Sequence, residues 1–171
     1  PLHIQSEISP LEMIITSRPG NEFQAMLPEN LERYRHTAQG SVEDNPDYLL
    51  FDDLILLSGM QREHDTLTAI LAAAVGPQRQ MDFRQLLATA LAEPHAVSEA
   101  VEGALELEKA LYGASESTLE RARHLLSECS GLGLADSLIS GRLPISGETV
   151  LTWPAPNTLF ARDLGVVIGL S

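Results

Sequence analysis

Between residues 58 and 141 the apolar side chains recur at three- and four-residue intervals, whereas towards both ends they form short continuous runs. The first pattern is that of amphipathic helices and the second that of strands. Residues 11–17, LEMIITS, have β-branched strand character, and RPG at 18–20 ends the run with turn residues. Residues 21–47 are polar and mixed, with PEN, AQG and DNPD as turn signals; so long a connection in a compact domain is commonly a functional or mobile element. YLLFDDLILLS, residues 48–58, is the second strand candidate. Asp52 and Asp53 interrupt it, which leaves LILL as its buried part.

Five helices are expected next. Ser58 and Gln61 form a capping box before the first, with Met60, Leu67, Ile70, Leu71 and Ala74 on one face and Gly76-Pro77 as its stop. Asp82 and Gln85 open the second, with Phe83, Leu86, Leu87, Ala90 and Leu91 inward and Pro94 closing it. Ser98 opens the third, whose stripe is Ala100, Ala104, Leu107 and Leu111 and whose end is Gly113. Ser117 and Glu120 cap the fourth, followed by Leu119, Ala122, Leu125, Leu126 and Cys129, with GLG at 131–133 as its end. A short fifth helix covers 134–139 and closes at Gly141. This block shows no strand and no repeat period. TVLTW at 149–153 and GVVIGLS at 165–171 return to strand character. The order describes an α/β chain interrupted by a small helical bundle: a first α/β module over 1–76, a helical insert over 77–145 and the start of a second α/β module over 146–171. Three or four short strands with one or two helices make a marginal sheet, so its other partners are expected outside this chain or from another chain.

Composition narrows the function classes. With 171 residues and 44% apolar content, the chain suits a globular protein and is too apolar for disorder. A formal net charge of -13, with eleven scattered basic residues, argues against a phosphate-gripping nucleic-acid surface. No apolar run approaches the roughly 20 residues of a membrane span, and no secretory signal is visible. One cysteine, Cys129, excludes an internal disulfide, and a reducing cytoplasm is the expected compartment. His3, His36, His64, His95 and His124 show no metal spacing, and GLGLAD follows a helix and lacks the third glycine of a dinucleotide fingerprint, so neither metal nor cofactor is expected.

Three stretches carry candidate chemistry: SEISPLEMIITSRPG at 6–20, LLFDDLILLSGMQREHD at 49–65 and PAPNTLFARD at 154–163. Taken by residue type alone, each has an ordinary reading. Asp163 beside Arg162 is a surface ion pair worth under ~1 kcal/mol, Asn157 after Pro156 is a good turn residue, and Phe160 is a core residue. Taken together and in this order, with a helical insert between the second and third, they resemble the N-terminal part of arginine deiminase. The resemblance covers nearly the whole chain but only about the first two-fifths of a family member.

The resemblance implies an α/β propeller of five modules, of which this chain would hold the first, a helical-bundle insert and the start of the next. It implies hydrolysis of L-arginine to L-citrulline and ammonia, in which a cysteine attacks the guanidinium carbon, a histidine moves protons and carboxylates hold the guanidinium nitrogens. By the same resemblance Asp163 matches the guanidinium-binding aspartate, and Asn157 and Phe160 match residues lining the substrate. A carboxylate suits that task because it meets two N–H groups of the planar cation at once. The pattern departs from the family at Ala161, where a threonine is expected, at Leu164, and in the long connection at 21–47. The family's His-x-Asp pair is absent, since EHD sets His64 directly beside Asp65, and the nucleophile is expected outside this chain; Cys129 falls on an apolar helix face. The alternatives are a catalytically incomplete interaction module and an enzyme of another guanidino compound. The small-molecule substrate is L-arginine on the first reading; nucleic acid and membrane are not expected partners, and a homo-oligomer is left open.

Overall fold

The computed structural model describes residues 10–45, 48 and 55–161. In chain order these form β1 (Ile14–Thr16), β2 (Tyr34–His36), β3 (Val42–Asp44), α1 (Leu57–Val75), β4 (Gln80–Asp82), α2 (Phe83–Ala90), α3 (Pro94–Tyr112), α4 (Glu116–Ser127) and α5 (Gly131–Ser140), with short 3₁₀ turns between them. The fold is mixed α/β, with five helices and two small sheets among the described residues.

β1 pairs in parallel with β4, Ile14 opposite Gln80 and Thr16 opposite Asp82. β4 lies inside the stretch whose periodicity predicts helices alone. Three residues are too few to show a period of two, and Gly76-Pro77 hides the strand inside what reads as a helix stop. The polar connection contains an exposed antiparallel hairpin, β2 with β3, in the register Tyr34↔Asp44 and His36↔Val42. The strand expected at 48–58 falls mainly on residues 49–54, outside the described residues, and α1 already begins at Leu57.

Ser58 does not cap α1, which starts without a side-chain cap. Gln61 instead donates from Nε2 to the Pro19 carbonyl at 3.0 Å. That contact lies on the inward side of the helix: Met60, Gln61, His64, Thr68, Leu71 and Val75 face in, and Leu67 and Ile70 are exposed. α1 packs on the polar corner after β1, and its inner stripe is correspondingly mixed. At α2 the expectation holds: the Asp82 carboxylate accepts from the Arg84 and Gln85 N–H groups.

Pro94 opens α3 rather than closing α2, as suits a residue with no N–H to place in a first turn. The buried stripe of α3 is Val101, Leu105 and Glu108, and Leu107 and Leu111 face solvent. α4 begins two residues earlier than expected, capped by Ser115 through the Thr118 N–H, because the run of hydroxyls offers several capping oxygens. GLG begins α5 rather than ending α4. The helix closes on Gly141, as expected, at a φ of 71°; a Cβ there would lie 2.6 Å from the Leu151 carbonyl oxygen.

The main core gathers Leu91, Val101, Leu105, Leu119, Ala122, Leu126, Leu134, Ala135, Val150 and Leu151, with half-buried Cys129 packed against it. A second cluster centres on Phe23 and Met26, with Ile55, Leu57, Met60, Trp153 and Leu159 against it.

Candidate functional site

Residues 149–153, TVLTW, are not a strand. Thr149 makes a single antiparallel bridge to Arg142, and the chain beyond it hangs on the helices. The N–H groups of Val150 and Leu151 both donate to the Gly141 carbonyl, at 2.8 and 3.1 Å. Those of Thr152 and Trp153 both donate to Oε1 of Glu108 on α3, at 2.5 and 3.2 Å. Ala155 donates to the Ile139 carbonyl on α5 at 2.7 Å, and Pro154 and Pro156 have no N–H to place. Every backbone donor from 150 to 155 is therefore taken up by the bundle, so these residues have none left for a sheet ladder.

This anchoring presents a tip. Residues Pro156–Leu159 form a 3₁₀ turn, with Pro156 and Thr158 buried and the Thr158 hydroxyl donating to the Ala155 carbonyl at 2.8 Å. Leu159 and Trp153 reach back to the Phe23–Met26 cluster, and the Trp153 ring lies 6.2 Å from that of Tyr112. Asn157 and Phe160 are exposed at the tip, joined by a 3.0 Å bond from the Phe160 N–H to the Asn157 carbonyl. The structure thus brings together two of the three residues singled out in the sequence, on one turn. Asp163, the third, lies outside the described residues, as do Asp52 and Asp53.

A second polar assembly closes the corner after β1. Glu22 is 1% exposed, and both its oxygens accept from one terminal nitrogen of Arg84, at 2.6 and 2.7 Å. Oε1 of Glu22 also accepts from the Gly20 N–H at 2.8 Å. Arg84 further donates to the Arg18 carbonyl and to Asp136 on α5, at 3.2 and 3.1 Å. Gly20 is needed for this approach, since a Cβ there would sit 2.5 Å from the Arg84 guanidinium. Arg18 meanwhile grips Asp65 with two bonds, at 2.7 and 3.0 Å. These residues tie β1, α1, α2 and α5 to one another.

His64 and Asp65 are therefore divided between separate tasks. The Arg18 hydrogen bond holds the Asp65 carboxyl below its ordinary value. Burial lowers the pKa of His64, against the opposing charges of Asp65 and Asp82, and its Nδ1 lies 3.3 Å from the Thr68 hydroxyl. Cys129 sits against the bundle core, with Sγ 3.6 Å from the Leu125 carbonyl and 3.8 Å from the Ser137 hydroxyl. Among the described residues no group of His, Cys, Asp and Glu converges as a metal site, and no helix is long and apolar enough to cross a membrane.

Glu108, Glu22 and Arg84 were not singled out in the sequence. For Glu108 a signal exists: it stands three residues after Leu105 and seven after Val101, a charge inside an apolar stripe. Glu22 and Arg84, 62 positions apart, carry no such signal.

No family model matches the chain. It is 28% identical over an alignment of 193 residues to an arginine deiminase of Streptococcus pyogenes serotype M49, covering 99% of this chain and 41% of that protein. The same coverage and 27% identity relate it to the arginine deiminases of S. pyogenes serotypes M1 and M12. Along essentially its whole length, then, the chain is similar to arginine deiminase, and it spans about two-fifths of the length of those relatives.

Proposed function

We propose that this chain is the N-terminal part of an arginine deiminase-like hydrolase that converts L-arginine to L-citrulline and ammonia. In this reading Asp163 holds the guanidinium, Asn157 and Phe160 line the substrate, and the nucleophilic cysteine and the proton-moving histidine lie outside these 171 residues. A guanidinium held by a carboxylate is fixed in orientation by two charge-assisted hydrogen bonds. Its positive charge also favours the thiolate form of an approaching cysteine, whose sulfur attacks the guanidinium carbon. The C–N bond breaks as a proton reaches the leaving nitrogen and ammonia departs, and water then displaces the sulfur to give the ureido group of citrulline and restore the thiol. The observation that carries the reading is the anchored 150–160 segment. It sets Asn157 and Phe160 on one exposed turn just before Asp163, in a chain similar to arginine deiminases from end to end.

The same reading takes the chain as part of an α/β propeller, divided into a first module (1–76), a helical insert (77–145) and the start of a second module (146–171), with β4 at the start of the insert pairing back onto β1 of the first module. It takes L-arginine as the small-molecule partner and the cytoplasm as the compartment.

The test is citrulline release by the full-length protein. Arginine should be turned over and agmatine, which lacks the carboxylate, should not; preference for agmatine would assign another guanidino compound. Asp163→Asn should keep the fold and lose about 100-fold or more in kcat/KM, as removal of a charge-matched substrate contact predicts. Wild-type turnover by that variant would remove Asp163 from the site.

A further inference from the structure

We infer that Glu108 is a positioning residue: through the Thr152 and Trp153 amides it sets the substrate-lining turn from a helix of the bundle. The inference rests on the proposed function for its catalytic consequence, but not for the anchoring itself. Glu108 is 6% exposed, in the middle of an apolar stripe, where a carboxylate is costly unless bonded. Its partners are neither side chains nor the amides of its own helix. One oxygen takes two consecutive backbone N–H groups 44 and 45 positions away.

That geometry suits a clamp better than a packing residue. Two adjacent amides sharing one anionic acceptor fix both the direction and the rotation of the peptide between them, and a charged acceptor makes both bonds stronger than neutral ones. Pro154 follows at once and fixes φ, and Ala155 is caught by the Ile139 carbonyl. A rotation allowed at residue 152 would therefore be carried through a stiff segment to Asn157 and Phe160. An apolar residue at 108 would fill the stripe equally well and leave both amides without a partner. On this account the bundle does more than decorate the α/β part: it supplies the fixed point from which the turn is aimed.

The test compares Glu108→Ala and Glu108→Gln in the full-length protein by hydrogen exchange of the 150–156 segment, with helical content checked by circular dichroism. Glu108→Ala should speed exchange of the Thr152 and Trp153 amides by about 10-fold or more; Glu108→Gln, which keeps a neutral acceptor, should speed it by about threefold. Unchanged exchange in either folded variant overturns the inference, and if the alanine variant fails to fold, the glutamine variant decides alone. In turnover of arginine, a displaced turn should raise KM by about 10-fold or more in Glu108→Ala, with Glu108→Gln between it and wild type. Faster exchange with unaltered KM would overturn the positioning role. Absence of any turnover by the wild-type protein would overturn the proposed function and leave the exchange result standing.

Discussion

Among the described residues, ten buried apolar residues form the core of the bundle of α2 to α5, whereas near β1 the buried apolar side chains are Pro19, Phe23, Met26 and Val75 of α1. The β1 layer is closed instead by a buried carboxylate–guanidinium pair, and it leaves Ile15 of β1, with Leu11 and Met13 just before the strand, exposed. Parallel sheets are ordinarily covered on both faces. The two regions therefore differ in kind. The bundle draws its stability mainly from closely packed apolar side chains, with Glu108 as its buried polar contact to the 152–153 backbone. The β1 layer relies on a few directional bonds that specify how β1, α1, α2 and α5 meet, and supplies little apolar burial of its own.

Leu126 is 0% exposed at the centre of the bundle, and Leu126→Ala should cost about 2–5 kcal/mol, read by urea denaturation. A loss under about 1 kcal/mol would mean the bundle is not the packed half of the molecule. In the β1 layer, Arg84→Ala should cost about 3 kcal/mol because it strands the Glu22 carboxylate in a buried site. The double variant Glu22→Leu with Arg84→Met should recover most of that loss, since a well-packed apolar pair removes the stranded charge. If the double variant is as unstable as the single one, the pair's orienting role is matched by an energetic one and the contrast with the bundle narrows.

A smaller effect separates the regions by pH. The pKa of His64 lies below its ordinary value of 6.5 because of burial, so the folded state binds fewer protons there than the unfolded state. Stability is accordingly complete above about pH 7 and falls as the pH drops through 6.5 and below. The drop in Tm between pH 7.5 and 5.5 should be larger for wild type than for His64→Gln, and equal drops would show that His64 is not the group responsible. The depressed carboxyls of Asp65, Glu102 and Glu116 act in the opposite sense of charge, with stability that is lost only in the acid range below their ordinary values of 3.8 and 4.5. Smallest of all, Arg123→Ala, which removes the exposed bidentate contact to Glu102 between α4 and α3, should leave the denaturation midpoint unchanged.

The same division explains what could be read from the sequence. The five helices were legible because an apolar period survives wherever a helix faces an apolar core, and Leu119, Ala122 and Leu126 fall on the buried face as the spacing predicts. The period alone does not say which side of α1 and α3 the neighbours occupy; in the structure Gln61 and Glu108 lie on the inward sides and bond to distant backbone. β4 was illegible at three residues, and its pairing with β1 depends on tertiary contact. Asn157 and Phe160 enter the candidate site through the resemblance to arginine deiminase; the two prolines and the turn-forming sequence make legible only that Asn157 sits in a turn. The means of holding them, Gly141, Ile139 and Glu108, lies in a different part of the chain.

The parallel pairing of β1 and β4 also bears on how the protein is made. Thr16 and Gln80 stand 64 positions apart, so β1 leaves the ribosome long before its partner exists. At common synthesis speeds that wait is roughly 3–13 s, during which the unpaired β1, with apolar Ile15 in it and Leu11 and Met13 just before it, is open to whatever it meets. Slow codons between the two strands would lengthen that exposure, and holdase capture of nascent chains should peak before residue 82 emerges.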